Sequence, residues 1–263
     1  MEIKLTDINY AYKKINYEPK EVFRNLNVCL DSNVDCIIGC NGSGKSTLMS
    51  IISGDLRLDN GVIEFSKRVK IGYVKENQEF ITETIREELI YSMMEHNYKI
   101  SEKRMLDVLL MVGMDTSLID EKIKKLTSSQ KKLLSLAVAL IYNPNVLVLD
   151  SFTEGLDDIN QDRIIKLIRI LKNRYNKKII IASNDLEFIH KIADKVYVLY
   201  DGTVIMSGSK YDIFKQEKLL KKYGLLVPNI IKFENLVLSK KNIRLGYRDD
   251  INDLIKDIYR NSY

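Results

Sequence analysis

The sequence predicts an α/β protein in which helices cover a mainly parallel β-sheet. Short hydrophobic segments such as VDCII (34–38), NVLVLD (145–150) and KVYVLY (195–200) are typical of buried strands. They alternate with stretches whose apolar residues recur every three or four positions, which is typical of helices packed on a sheet. This alternation favours parallel strands, because each helix carries the chain back to the start of the next strand.

Further strand-like segments complete the sheet and form a separate N-terminal unit. In chain order, the predicted strands cover residues 2–10, 22–30, 34–38, 61–65, 69–74, 145–150, 177–184 and 195–200. The first two flank the polar stretch KKINYEPK, and we expect them to belong to a small antiparallel β subdomain.

Helical periodicity appears in the middle of the chain. The predicted helices cover residues 46–53, 85–96, 102–112 and 129–142. Most of them fall within about 80–143, which we expect to be a helical subdomain. The longest apolar run, 133–142, has ten residues, whereas a membrane-spanning helix needs about 20, so a core helix is predicted there.

The C-terminal part of the chain has a different pattern. Three amphipathic segments, 211–224, 229–242 and 249–260, are punctuated by Gly224 and Pro228. We therefore expect a main domain over 1–215, followed by a helical appendage over 216–263 that could serve dimerisation.

Composition narrows the classes of function. Of the 263 residues, 45% are hydrophobic and 29% are charged, as in an ordinary soluble globular protein. Lys and Arg number 41 against 36 Asp and Glu, so the net charge of +5 is only mildly basic. This weak charge, without a basic stripe and interleaved aromatic residues, argues against nucleic acid as a partner.

A phosphate-binding loop follows the strand at 34–38. Its sequence GCNGSGKST fits the pattern G-x-x-x-x-G-K-[ST], and a hydrophobic strand and a helix flank it as the pattern requires. The glycines let backbone N–H groups point at phosphate oxygens, while the next helix adds its positive end. We expect Lys45 to bridge the β- and γ-phosphates of a nucleotide and Ser46 to ligate Mg²⁺. The expected nucleotide-binding residues are Gly39, Asn41, Gly42, Ser43, Gly44, Lys45, Ser46 and Thr47.

Asp150 ends the buried strand of NVLVLD. A carboxylate at such a strand end, beside a phosphate loop, is expected to complete the Mg²⁺ shell, usually through water. The alternative is a carboxylate that caps a helix. The next residue is Ser151, which offers only a hydroxyl.

The stretch LTSSQKKLLSLAVALIYNPNVLVLD (126–150), taken with GCNGSGKST, resembles the nucleotide-binding subunit of an ABC transporter. The resemblance implies a P-loop NTPase of the ABC ATPase fold, in which two chains enclose two ATP molecules with Mg²⁺. The signature of that family, leucine–serine–glycine–glycine–glutamine, faces the ATP of the partner chain. Its counterparts here are Leu126, Thr127, Ser128, Ser129 and Gln130.

Further positions match the family or depart from it. Tyr12 stands where the family stacks an aromatic ring on adenine, and Asp157 retains the aspartate of the loop that contacts the other subunit. Ser151 replaces the catalytic glutamate, and Asn184 replaces the histidine that grips the γ-phosphate. Glu76 replaces a glutamine that senses Mg²⁺ and the membrane partner; its carboxylate can ligate Mg²⁺, yet it adds negative charge near phosphate.

The tail, from GSKYDIF (208–214) through GLLVPNIIKF (224–233) to the end, and the segment TIREELIYSM (84–93) resemble one branch of the family, the energy-coupling factor (ECF) transporter ATPases. That resemblance implies three partners: a second ABC ATPase subunit, a transmembrane coupling subunit and a substrate-binding membrane subunit. It also implies a peripheral location on the cytoplasmic face of the cell membrane.

The departures predict a site that binds ATP but hydrolyses it slowly or not at all. Serine cannot act as a general base, and loss of a positioned base typically costs about 10²–10⁴ in rate. Ser128 and Ser129 place Cβ atoms where the family has glycines, with a cost of roughly 1–2 kcal/mol if either backbone is left-handed. Glu154 is a candidate substitute base, although a solvated loop residue is the simpler interpretation. The basic runs KIKK (122–125) and QKK (130–132), which flank the signature, are either a solvated face or an attraction for phosphate.

Three interpretations follow. The chain is the degenerate member of a heterodimer whose complete partner hydrolyses ATP, or it is a homodimeric, nucleotide-gated scaffold without turnover. The third is a soluble ABC-type module that acts on nucleic acid or the ribosome; such chains usually carry two of these domains or long coiled-coil insertions, and neither fits in 263 residues.

Overall fold

The computed structural model describes residues 1–13, 18–241 and 251–261. The strands in these residues are β1 Ile3–Tyr12, β2 Lys20–Leu30, β3 Val34–Ile38, β4 Asn60–Phe65, β5 Ile71–Val74, β6 Val146–Asp150, β7 Lys178–Ala182, β8 Lys195–Tyr200 and β9 Thr203–Ser209. The α-helices are α1 Lys45–Ser53, α2 Ile85–Glu95, α3 Glu102–Val112, α4 Ser128–Leu140, α5 Asp158–Asn173, α6 Leu186–Ile192, α7 Lys210–Phe214, α8 Glu217–Lys222, α9 Asn229–Lys241 and α10 Ile251–Asn261.

The strands form two sheets, as predicted. The larger sheet has the order β5-β6-β7-β3-β8-β9, and its first five strands are parallel. Only β9 runs antiparallel, as a hairpin with β8. The smaller sheet has the order β2-β1-β4 and is antiparallel throughout. The predicted α/β class, with a mainly parallel sheet and an N-terminal antiparallel subdomain, is confirmed.

Helix α1 lies between the two sheets. Its side chains Leu48, Met49 and Ile52 are fully or almost fully buried, and they share a core with Leu5 of β1 and Val148 of β6. Strands β3, β6 and β7 are buried along their whole length, which explains why they consist almost entirely of apolar residues. The phosphate loop is therefore anchored at both ends in a rigid core.

Helices α2 and α3 pack on α4 within the range 80–143, and the separate helical subdomain expected there stays a prediction. Thr84 caps α2 in a capping box with Glu87, and Gly113 ends α3 in a left-handed conformation. The apolar run at 133–142 supplies the buried face of α4, as expected for a core helix. Within the described ranges, no helix has both the length and the apolar character that crossing a membrane requires.

The C-terminal helices pack on the main core. Leu220, Val227 and Leu254 are buried in the same cluster as Val34 of the central strand β3. The segment predicted at 211–224 is divided into α7 and α8, which end and begin on either side of Lys215 and Gln216. Residues 242–250 and 262–263 of the predicted appendage lie outside the described part of the chain. The domain boundary between 215 and 216 stays a prediction.

Candidate nucleotide-binding site

The phosphate loop leaves β3 after Ile38 and enters α1 at Lys45. Gly42 and Gly44 have φ values of 81° and 104°, a left-handed region that side chains rarely adopt. A Cβ atom at Gly39 would collide with the backbone oxygen of Leu199. These three glycines are therefore required by the backbone itself, which curls as a phosphate cradle must.

Lys45 reaches back across this loop. Its Nζ donates hydrogen bonds to the carbonyl oxygens of Gly39 at 2.7 Å and Cys40 at 3.0 Å. Burial lowers the pKa of Lys45, and the largest opposing influence is the charge of Asp150. The described structure gives this buried ammonium only carbonyl oxygens as hydrogen-bond partners, so an anionic phosphate fits beside it.

Ser46 and Asp150, the two residues expected to hold Mg²⁺, are in direct contact. The Ser46 hydroxyl donates to Oδ1 of Asp150 at 3.1 Å. Burial raises the pKa of Asp150 to about 6, and the negative charge of Glu76 adds to that rise. A desolvated carboxylate beside a hydroxyl is a pair that a divalent cation would stabilise. Within the described residues no group of three or more His, Cys, Asp or Glu could hold a metal, so a bound Mg²⁺ would depend on phosphate oxygens for further ligands.

A cavity of about 410 Å³ opens over the loop. It brings together most of the predicted site residues: Tyr12, Asn41, Gly42, Gly44, Lys45, Ser46, Thr47, Glu76, Ser151 and Asn184. The Tyr12 hydroxyl lies 3.1 Å from the Thr47 hydroxyl, while the ring is exposed over 40% of its surface. That ring is accessible for stacking on a base. Lys20, Val22 and Asp201 also line the cavity, although no sequence motif marks them.

Ser151 and Asn184 occupy the positions where catalytic side chains were expected. Ser151 follows β6 directly, is 7% exposed, and has a left-handed φ of 45°. Its backbone N–H donates to the Ala182 carbonyl at 2.9 Å, which fixes the residue at the cavity wall. The Asn184 amide donates to Oδ1 of Asn41 at 2.7 Å, so it is tied to the phosphate loop. Neither side chain can take a proton from water at neutral pH.

Glu76 lies just beyond β5 and also lines the cavity. Its backbone carbonyl accepts a hydrogen bond of 2.6 Å from Nζ of Lys132, which projects from α4. Lys132 is half-buried and lies against the end of the sheet. Both interpretations of the basic runs, a solvated face and an attraction for phosphate, stay predictions.

The signature residues lie at the start of α4, and none of them lines the cavity. Thr127 caps this helix in a capping box with Gln130: the Gln130 N–H donates to the threonine hydroxyl at 3.2 Å, and the Thr127 N–H donates to the glutamine side chain at 2.9 Å. Ser128 and Ser129 are helical, so the left-handed strain considered for them does not arise. Leu126 is buried, whereas Thr127 and Ser128 are exposed.

Asp157 caps α5 and contacts the signature of its own chain. Its carboxylate accepts the Asn160 N–H at 2.9 Å and the Ser129 hydroxyl at 3.3 Å. These bonds, led by the one from the Asn160 backbone, lower the pKa of Asp157. The predicted contact of Asp157 with another subunit stays a prediction.

Comparisons with known proteins show the family of this chain. The sequence model of the ABC transporter family matches residues 23–154. The energy-coupling factor transporter ATP-binding protein EcfA2 of Clostridium acetobutylicum is 31% identical to this chain, and the match covers 98% of this chain and 94% of that protein.

Solved structures show the same fold. The structure of cbiO1 from Clostridium perfringens, described as part of the ABC transporter complex cbiONQ, matches with a TM-score of 0.67 and 28% identity over 89% of this chain and 98% of that one. A dimeric ATP-binding cassette in a post-hydrolysis state, bound to ADP and phosphate, matches with a TM-score of 0.73 and 23% identity over 79% and 98% of the two chains. The latter likeness supports the fold alone.

Proposed function

Because the chain belongs to the ABC transporter family, we propose that it is the ATP-binding subunit of an energy-coupling factor importer. In this proposal it encloses ATP together with a second ATPase subunit, and its own site binds ATP but hydrolyses it slowly. One observation carries the proposal: the phosphate loop and the Ser46–Asp150 pair are intact, while the residue that lines the cavity directly after Asp150 is Ser151.

The binding half of the site has the groups that ATP and Mg²⁺ need. Backbone N–H groups of the loop and the Lys45 ammonium would hold the phosphates, and Tyr12 would stack on adenine. Ser46 and Asp150 would hold Mg²⁺, whose chemistry is to neutralise the charge of the phosphate oxygens. The role of Glu76 is electrostatic first, because it lines the same cavity and raises the pKa of Asp150.

The hydrolytic half lacks a proton acceptor where the family has one. The Ser151 hydroxyl cannot accept a proton from the attacking water. Asn184 can donate a hydrogen bond, but it carries no charge. Glu154 lines the cavity but follows three residues later, in the loop that leads to α5. The signature of this chain, at the exposed start of α4, would serve the ATP bound by a partner that retains a glutamate and a histidine.

The proposed assembly places the chain on the cytoplasmic face of the membrane. Its relative cbiO1 is described as part of an ABC transporter complex, and EcfA2 is named as the ATP-binding protein of an energy-coupling factor transporter. We therefore expect a transmembrane coupling subunit and a substrate-binding membrane subunit as further partners, with the chain attached peripherally.

Two measurements test this proposal. Isothermal titration of the purified chain with ATP and Mg²⁺ is expected to show binding, and Lys45→Ala is expected to abolish most of it. Phosphate release by the chain alone is expected to be close to background. Rapid turnover by the chain alone would overturn the proposal of a slow site.

A purification from native membranes tests the assembly. A tagged chain is expected to bring down a second ABC ATPase subunit and membrane subunits. Recovery of the chain as a homodimer without turnover would favour a nucleotide-gated scaffold. Recovery with ribosomes or nucleic acid in the soluble fraction would overturn the transporter assignment.

A further inference from the structure

A second lysine, outside the phosphate loop, contacts a residue that lines the nucleotide-binding cavity. Lys132 lies in the second turn of α4, two positions after the last signature residue, Gln130. Its Nζ donates a 2.6 Å hydrogen bond to the Glu76 carbonyl, at the point where the chain leaves β5. The bond connects the helix that starts with the signature to the wall of the cavity.

The surroundings of Lys132 are acidic. Burial lowers the pKa of its ammonium, and three carboxylates oppose that effect: first Glu76, then Glu154 and Asp150. Glu76 and Glu154 line the cavity directly. Burial raises the pKa of Asp150, and the positive charges of Lys45 and Lys132 limit that rise. Lys132 is thus a counter-charge shared by the acidic groups of this site.

This counter-charge matters because the expected ligand is a polyanion. Each carboxylate near the cavity repels phosphate, and the repulsion is strong where water is partly excluded. Lys45 offsets part of this charge from the phosphate loop, and Lys132 bonds the carbonyl of Glu76 itself. The acidic residue at position 76 therefore comes with a cation that limits its effect.

We propose that Lys132 is a positioning residue of this nucleotide site: it fixes the chain after β5 through the Glu76 carbonyl and offsets the Glu76 carboxylate, so that the cavity accepts ATP with Mg²⁺. This inference rests on the proposed function of the site. Lys132 acts through Glu76, with no contact to the nucleotide required.

The test is a double-mutant cycle on ATP affinity in the purified full-length chain. Lys132→Gln removes the charge but keeps a hydrogen-bond donor, and it is expected to weaken the Kd for ATP with Mg²⁺ by about tenfold. Lys132→Arg is the conservative control and should stay within about threefold of the wild type. In a Glu76→Gln background, Lys132→Gln should cost no more than about threefold, because the carboxylate with the largest influence on Lys132 is gone and only Glu154 and Asp150 remain.

The cycle separates this role from a merely structural one. An unchanged Kd in Lys132→Gln would overturn the inference, and so would an equal tenfold loss with and without the Glu76 carboxylate. Circular dichroism and the thermal midpoint confirm that each variant is folded, and Lys132→Met is the second variant if the glutamine variant does not fold. A wild-type chain that binds no ATP would refute the proposed function itself, whereas a wild type that binds and a silent Lys132→Gln would refute this inference alone.

Discussion

Replacing Ser151 with glutamate tests why the site is expected to turn over slowly. Residue 151 has a φ of 45°, which any residue with a Cβ adopts at some cost. Serine already bears that cost, so glutamate adds little further backbone strain. The longer side chain would enter the cavity that Ser151 lines together with Glu76. Ser151→Glu therefore supplies a carboxylate without disturbing the phosphate loop.

The new carboxylate should change two quantities: it should raise the turnover rate and lower the affinity for ATP. A positioned general base contributes about 10²–10⁴ in rate, so even an imperfectly placed carboxylate should raise turnover at saturating ATP by about tenfold or more. The new charge also lies near Asp150, whose pKa the Glu76 charge already raises. We therefore expect ATP affinity to fall by about threefold to tenfold, as one added like charge implies.

The assay is phosphate release at saturating ATP and Mg²⁺, with ATP binding measured in parallel. Ser151→Gln is the matched control, because it has the size of glutamate but cannot accept the proton. Faster turnover in Ser151→Glu than in Ser151→Gln is the expected result. Equal rates in the two variants, with ATP binding retained in both, would refute the argument that the missing carboxylate limits hydrolysis.

Three further predictions concern the fold that supports the site. Lys178→Met should lower the free energy of unfolding, measured by urea denaturation, by about 3–5 kcal/mol, because it leaves the buried Asp35 carboxylate without its ion-pair partner. Adding Asp35→Asn to the Lys178→Met chain should recover most of this loss. No recovery would contradict the pairing. Burial raises the pKa of Asp35 to about 6, so the folded chain retains a proton that the unfolded chain has already lost. The protonated Asp35 therefore adds to the free energy of unfolding below about pH 4, and this contribution is lost as the pH rises through 6. Asp35→Asn should remove this contribution, so the urea midpoint should vary less between pH 4 and pH 6 than in the wild type. Gly39→Ala should abolish ATP binding in titration calorimetry, since its Cβ would collide with the Leu199 oxygen; normal binding would contradict the close approach.

Much of the fold could be predicted because local signals agree with tertiary packing. Strands β3 and β8 have the predicted bounds, since their apolar runs stop at polar or glycine residues. Helices α2 and α4 begin at or within one residue of the predicted start, where Thr84–Glu87 and Thr127–Gln130 form capping boxes that the sequence itself displays. The order of strands in the sheet depends on contacts between distant segments, and no local pattern encodes it.

Strand β9 is absent from the sequence-based prediction, although a signal for it exists. Asp201 and Gly202 both have left-handed φ values, 44° and 71°, as the central residues of a tight hairpin turn require. An Asp-Gly pair after the apolar strand β8 is a strong hairpin signal. The following residues, TVIMSGS, are rich in small polar residues and only partly buried, which hides their strand character.

Some contacts of the candidate site could likewise be predicted from the sequence, and others could not. The loop, Ser46 and Asp150 could be predicted because strand ends and a motif place them together. The link between Lys132 and Glu76 could not, since 56 residues separate them and only the docking of α4 on the sheet brings them into contact. Likewise, the bond from Ser129 to Asp157 depends on how α4 packs beside α5.

The positions of Glu76 and Ser151 can be interpreted together. Strands β5 and β6 pair in parallel with Val74 opposite Leu149, so positions 76 and 151 lie two residues beyond that pair on neighbouring strand ends. The resembled family has a neutral glutamine at the first position and a glutamate at the second. This chain has the reverse arrangement: the carboxylate of Glu76 follows β5, where Lys132 bonds the Glu76 carbonyl, and the neutral Ser151 follows β6.

Compared with that family pattern, the number of carboxylates at positions 76 and 151 is unchanged, while position 151 itself has none. Ser151→Glu alone adds a charge and should weaken ATP binding, whereas Glu76→Gln with Ser151→Glu restores the original count. We expect the double variant to bind ATP with the affinity of the wild type and to release phosphate at least as fast as Ser151→Glu. A double variant that binds ATP as weakly as Ser151→Glu would show that charge balance between the two strand ends does not govern affinity.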